Sequence, residues 1–182
     1  MVSCHTGDGG SRGDLPESRA QMNIAEVIGG HADDQIALID RDDRVDFGTL
    51  RGRVAAMQID LQARGVGIDT TVALAAGNDV AFVVSTLAVL GLGGIVMPLN
   101  PGSPTSELAR KLAVASPSML LVGHAGRLHL DDPAVGTPTV DLIAMASSAA
   151  AAHVSGEAPS APVIVDRPDD APAFYLATSG VS

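Results

Sequence analysis

The most regular pattern of apolar residues lies between positions 50 and 61. Four apolar side chains recur there at helical intervals: Leu50, Val54, Met57 and Leu61. These intervals place the four side chains on one face of an α-helix, and Gly65 after Arg64 supplies a left-handed stop. We therefore expect a helix that buries this face, with Arg51 and Asp60 turned toward solvent.

Apolar runs alternate between strand-like and helix-like lengths from position 71 onward. The predicted order is strand 72–75, helix 79–90, strand 95–97, helix 105–115 and strand 118–122. This alternation is typical of a parallel sheet flanked by helices, so the pattern predicts an α/β fold. Less regular patterns predict a hairpin over 35–47, a strand near 139–142, a weak helix over 143–153 and a short buried strand over 173–177.

Two segments lack the periodicity of a folded element. Residues 1–20 form a polar stretch rich in glycine and serine, which predicts a disordered leader. Residues 154–172 mix proline, glycine, serine and acidic side chains, which predicts a flexible, solvated connector. The folded domain is therefore expected over 21–182, with the connector inside it.

Residues 80–99 form an uncharged run about as long as a membrane span. Three glycines and Pro98 fall in its second half, and no Lys or Arg lies close enough to set an orientation. A buried helix that ends near 90–92, followed by a sheet strand around 95–97, accounts for the same run. We favour the helix and strand; a membrane-anchored protein is the alternative.

The composition narrows the classes of partner and site. The chain has 21 acidic and 11 basic residues and a formal net charge of −10, which disfavours nucleic acid and anionic membranes as partners. The single cysteine, Cys4, rules out a disulfide framework, and the histidines show no ligand spacing, so no metal site and no catalytic residue are assigned. A single cysteine and the lack of a secretory signal favour a cytoplasmic location.

A run of small residues follows the predicted strand 173–177: Thr178-Ser179-Gly180-Val181-Ser182. Glycine lets the main chain approach an anion, and successive N–H groups and hydroxyls can converge on it. A strand that leads into such a loop is suited to binding phosphates. Such a run is more often a frayed terminus, so the pattern alone is a weak indication.

Three separated stretches strengthen the phosphate interpretation. They are Val45-Asp46-Phe47-Gly48-Thr49-Leu50 with Gly65-Val66-Gly67-Ile68-Asp69, then Gly93-Gly94-Ile95-Val96-Met97-Pro98-Leu99-Asn100-Pro101, and finally residues 176–182. In these motifs and their order the chain resembles the adenylate-forming, or AMP-binding, superfamily of acyl-CoA synthetases, luciferases and peptide-synthetase adenylation domains. It looks most like the N-terminal part of a fatty-acyl-CoA ligase.

The resemblance implies a fold, a reaction and a site. The implied fold is the N-terminal subdomain of the adenylate-forming enzymes, a mostly parallel sheet flanked by helices, truncated at Ser182. Enzymes of this kind use ATP, with Mg²⁺, to convert a fatty acid to an acyl adenylate and then transfer the acyl group to coenzyme A. By this resemblance the ATP phosphates would be bound by Thr178, Ser179, Gly180 and Ser182.

Departures from the family pattern limit what this chain is expected to do alone. Gly48 stands where Glu is usual, Ile68 replaces a glycine, and Val181 replaces a hydroxyl residue in the phosphate loop. The loop's lysine and the later catalytic residues are absent, so we expect the chain alone to lack ligase activity and to bind ATP weakly. Whether a partner chain supplies them stays open. The alternative is a non-catalytic α/β module that binds a phosphate-bearing ligand.

Overall fold

The secondary structure follows the alternation seen in the sequence. The computed structural model describes residues 23–41, 43–124, 135–157 and 159–176, and the leader 1–20 lies outside them. After a 3-10 helix at Ile24–Ile28, the elements are β1 (Ile36–Asp40), β2 (Asp43–Asp46), α1 (Phe47–Ala63), β3 (Thr71–Ala75), α2 (Val80–Gly91), β4 (Ile95–Leu99), α3 (Thr105–Ala115), β5 (Met119–Val122), β6 (Thr139–Asp141) and α4 (Leu142–Ser155). The predicted α/β class is confirmed.

The main sheet is parallel throughout its four strands. Its order is β4-β3-β5-β6, while β1 and β2 form a separate antiparallel hairpin. Ala73 in the centre of β3 is in register with Met97 of β4 and Leu120 of β5. Parallel strands need crossover connections. α2 joins β3 to its neighbour β4 on one face of the sheet, and α3 joins β4 to β5 across β3 on the other. The central strands are buried on both faces, which explains their continuous apolar sequences.

Helices α1, α2 and α4 cover one face of the sheet, and α3 packs against the other. α1 lies between α2 and α4, so it is buried on more than one side. Its four predicted core residues are all at most 2% exposed, which confirms that face. The expectation for Arg51 is wrong. Its side chain is only 14% exposed because it donates a hydrogen bond to the Ile28 carbonyl and pairs with Asp33.

The uncharged run 80–99 is divided between two elements, as predicted. α2 ends at Gly91 and β4 begins at Ile95. Gly93 adopts φ = 77°, a left-handed conformation that glycine reaches without steric cost, and this residue makes the turn between them. Within the part of the chain that the structure describes, no helix is long and apolar enough to cross a membrane.

Residues 163–175, which we call the strap, run across the end of α2 and then beside β4. Val96 donates a hydrogen bond to the Ala173 carbonyl and accepts one from the Tyr175 N–H, giving a parallel bridge between Val96 and Phe174. Ile95 bonds to Thr70 on the β3 side, so alternate residues of β4 face the strap and Pro98 is one of them. Because proline has no N–H, Pro98 cannot donate the next bond of this ladder, to the Tyr175 carbonyl.

The prediction of a buried strand over 173–177 is therefore wrong in part. Phe174 and Tyr175 are each 42% exposed, and Leu176 is 70% exposed. The segment pairs with β4 at one position among the described residues, and its outer side has no neighbouring strand there. Apolar composition indicated burial, but an edge segment is covered on one side only.

Candidate functional site

The carboxyl ends of the parallel strands meet at one edge of the sheet. The loops that follow β3 and β4 there are residues 76–79 and 100–104, and residues 123–124 are the described start of the loop after β5. Ligands of open α/β sheets bind characteristically at this edge, because the strand ends open into loops while helix N-termini point toward the same side. This edge is the candidate functional site.

The polar side chains at this edge mostly organise the loops themselves. The Asp79 carboxylate accepts a hydrogen bond of 2.9 Å from the Phe82 N–H and thereby caps α2. The Asn100 side-chain oxygen accepts one of 2.9 Å from the Gly102 N–H, and the Asn100 carbonyl accepts another from Ser103. These bonds fix the turns after β3 and β4. The two turns lie side by side at the carboxyl edge of the sheet.

The strap approaches the same edge. It runs parallel to β4, so the chain leaves Leu176 in the direction in which β4 runs toward Asn100. The residues predicted to bind phosphate, Thr178, Ser179, Gly180 and Ser182, come next in the sequence and lie outside the described residues. Their role stays a prediction. The structure supplies the segment that precedes them and its direction.

Three contacts anchor the strap before it reaches β4. The Gln58 side chain donates to the Val163 carbonyl (2.7 Å) and accepts from the Val163 N–H (2.8 Å). Asn23 donates to the Val165 carbonyl (2.9 Å), and the Val165 N–H donates to the Gly91 carbonyl (2.8 Å). At the next turn Arg167 pairs with Asp69. The strap is thus held by side chains from the 3-10 helix cap and α1.

Sequence reasoning missed Gln58, although a signal was present. Position 58 lies four residues after Val54 and three before Leu61, so it falls on the buried face of α1. A glutamine at a core position has to be hydrogen-bonded, because an unpaired buried amide is costly. That requirement could have directed attention to a backbone partner elsewhere in the chain.

Among the described residues, two carboxylates have a clearly shifted pKa, and both are near helix starts. The backbone N–H of Thr49 donates to Asp46 (2.7 Å) and lowers the pKa of that carboxyl, since the bond stabilises its charged form. Lys111 hydrogen-bonds Glu107 and lowers the pKa of Glu107 in the same sense. Neither group lies among the residues predicted to bind phosphate. Both act on local helix structure.

The described side chains do not form a metal site. Across 23–41, 43–124, 135–157 and 159–176, no group of three or more His, Cys, Asp or Glu side chains could hold a metal ion. We therefore assign no residue of the described chain to Mg²⁺. Mg²⁺ is implied by the family resemblance alone, and no step is derived through it.

Comparison with known proteins gives several relatives that share part of their sequence with this chain. A linear gramicidin synthase protein of Brevibacillus parabrevis is 30% identical over 169 residues, covering 92% of this chain and 2% of the relative. A second relative, from Salinispora arenicola, is described as a probable non-canonical nonribosomal peptide synthetase, CymA; it is 26% identical over 129 residues, covering 68% of this chain. The chain spans 2% of the length of each of these synthetases.

Solved structures and a family model give the fold and the family of the chain. Apo MatB from Rhodopseudomonas palustris superposes with a TM-score of 0.69 at 26% identity, covering 88% of this chain and 33% of MatB. Its ATP-bound form gives a TM-score of 0.68. The fold is that of the N-terminal subdomain of adenylate-forming enzymes. A family model described as AMP-binding enzyme matches residues 25–181, and the chain therefore belongs to the AMP-binding enzyme family.

Proposed function

We propose that this chain contributes the first part of the ATP-binding region of an enzyme that activates a carboxylic acid as an acyl adenylate. The observation that carries the proposal is the strap. It runs parallel to β4, toward the carboxyl edge of the sheet, and residues 178–182 follow it closely in the sequence. The match to ATP-bound MatB over 87% of this chain supports ATP as the nucleotide.

In the proposed reaction a carboxylate oxygen attacks the α-phosphorus of ATP. An oxygen–phosphorus bond forms to give the acyl adenylate, and the bond to the β-phosphate breaks to release pyrophosphate. Backbone N–H groups of residues 178–182, with the hydroxyls of Thr178, Ser179 and Ser182, would donate hydrogen bonds to the phosphates. Donors fixed in advance stabilise the charge that develops on a departing pyrophosphate.

The class of acid is a separate part of the proposal. The sequence resemblance implied a fatty acid and transfer to coenzyme A, but one relative is described as a probable nonribosomal peptide synthetase and another is named a linear gramicidin synthase. We therefore favour an amino acid as the acid that is activated. The substrate pocket and the acceptor for the acyl group are assigned to no residue of the described chain.

The phosphate-binding role is tested by ATP titration of the purified chain. Ser179→Ala should weaken ATP binding by about tenfold or more, because a hydrogen bond to a charged phosphate is typically worth about 1.5–3 kcal/mol. Ser118→Ala is the matched control. Ser118 is exposed at the opposite edge of the sheet, where its hydroxyl donates to the Thr71 carbonyl. Equal affinities for the two variants would contradict the assignment.

The acid is tested by ATP–pyrophosphate exchange with panels of amino acids and fatty acids. Because the chain alone is expected to lack activity, the assay uses this chain joined to the remainder of an adenylate-forming enzyme. Exchange that depends on an amino acid is the expected result. Exchange with fatty acids alone would contradict the choice of an amino acid and would favour a fatty-acyl-CoA ligase. ATP binding that is sensitive to Ser179→Ala, with no exchange for any acid, would favour the non-catalytic phosphate-binding module.

A further inference from the structure

The contact between Gln58 and the strap joins parts of the chain that are 105 residues apart. Gln58 is 2% exposed, although its neighbour Ile59 is 50% exposed. Its amide both donates to and accepts from Val163, so both of its polar atoms are hydrogen-bonded to one backbone residue. A buried side-chain amide that hydrogen-bonds both the backbone N–H and the backbone carbonyl of one residue fixes the position and the orientation of that segment.

Asn23 and Gly91 complete the same contact. Asn23 is 5% exposed and donates to the carbonyls of Leu90 (2.7 Å) and Val165 (2.9 Å), so it connects the end of α2 to the strap. At Gly91 an added Cβ would lie 2.6 Å from the Gln58 side-chain nitrogen and 2.8 Å from the Val163 carbonyl oxygen. The absence of a side chain at Gly91 lets the strap come this close.

We propose that Gln58 and Asn23 are positioning residues that hold the strap in register with β4 and thereby place the phosphate loop that follows it. The claim about the loop rests on the function proposed above; the claim about the strap does not. Neither residue reaches the carboxyl edge, so both would act through the strap.

The anchors add to a short pairing. Pro98 offers no N–H to the strap, and among the described residues the strap bonds to β4 only at Val96. One bridge alone would let the segment slide or detach, because a short edge pairing restrains few backbone angles. The anchors at Val163 and Val165 restrain the chain about ten residues earlier. A loop ordered before its ligand arrives loses less entropy on binding.

Hydrogen exchange of the strap amides tests the positioning role on the full chain. In Gln58→Leu, the amides of Val165 and Tyr175 should exchange about tenfold faster or more, because two hydrogen bonds are lost. Neither amide bonds to Gln58; Val165 donates to Gly91 and Tyr175 to Val96. Amides of β3 and β5 should keep their rates, which separates a local release from general destabilisation.

Two further variants leave the Gln58 side chain in place. One disrupts the same contact from Gly91, and the other is a control. Gly91→Ala should accelerate the same two amides, since its methyl group would displace the Val163 carbonyl. Gln62→Leu makes the same chemical change one turn later, at an exposed position of α1, and should leave both amides unchanged. Combining Gln58→Leu with Gly91→Ala should add little to either alone, because both break one contact.

The outcomes separate the strap claim from the proposed function. Unchanged Val165 and Tyr175 exchange in both Gln58→Leu and Gly91→Ala would overturn the inference. If the wild-type chain binds ATP, Gln58→Leu should weaken that binding several-fold, and unchanged affinity with a released strap would also overturn it. If the wild type binds no ATP, the proposed function fails while faster strap exchange still supports the positioning of the strap.

Discussion

Asp46 shows how much one residue contributes at the start of α1. It is the last residue of β2 and the N-cap of the helix, and its carboxylate accepts a hydrogen bond from the Thr49 N–H. A short side-chain oxygen at this position satisfies one of the four unpaired N–H groups of the first turn. The negative charge also interacts favourably with the positive end of the helix dipole.

Replacing Asp46 by alanine should lower the free energy of unfolding by about 1 kcal/mol at neutral pH. The carboxylate of the folded chain has a pKa below its ordinary value of 3.8, so its stabilisation is complete above that value. It is lost as the pH falls through the lowered pKa. Urea unfolding at about pH 7 and about pH 3 should therefore show a smaller difference between Asp46→Ala and wild type in acid.

Asp46→Asn provides the control for that measurement. Asparagine keeps the accepting oxygen but carries no charge, so this variant should remain capped and lose less stability than Asp46→Ala. A loss for Asp46→Ala that is equally large at both pH values would show that the charge of the carboxylate contributes nothing.

Several residues of the chain could be placed from the sequence, and others could not. The core face of α1 and the division of residues 80–99 follow from spacing and glycine positions, which are local. Gln58 and Arg51 depend on backbone groups 105 and 23 residues away, and no local pattern contains those partners. The carboxyl-edge site could be located from strand order, but not the anchoring of the segment that leads to it.

At the scale of an element, the 3-10 helix Ile24–Ile28 shows how the helical period decides which side chains are buried. The apolar residues Ile24, Val27 and Ile28 suggest a stripe on an α-helix, yet Ile24 and Val27 are more than half exposed. With three residues per turn, Ala25 and Ile28 share a face instead, and both are buried. The short length of the element favours this tighter helix.

Helix α1 offers a matched pair of substitutions that tests its orientation. Leu61 is fully buried, whereas Ile59 on the same helix is half exposed. Leu61→Ala should lower the free energy of unfolding by about 2–5 kcal/mol through lost burial and a cavity. Ile59→Ala should cost far less, because most of its surface is already in water. Similar costs in urea unfolding would mean that the helix is rotated from the orientation described.

At the scale of the whole molecule, the sheet and the strap differ in how they are stabilised. The sheet is covered by helices on both faces, while the strap is held by a few hydrogen bonds over sequence separations of 105 and 142 residues. Closing such long loops costs entropy that few contacts repay, so the strap should detach at a lower free energy than the sheet unfolds.

The position of Tyr175 in the strap allows that difference in stability to be measured by fluorescence. Tyr175 is the only tyrosine, the chain has no tryptophan, and this residue ends the strap. Intrinsic tyrosine fluorescence therefore reports the strap alone, whereas far-ultraviolet circular dichroism reports the helices. We expect the fluorescence change at a lower urea concentration than the loss of helix signal. Coincident transitions would instead mean that strap and sheet unfold as one cooperative unit.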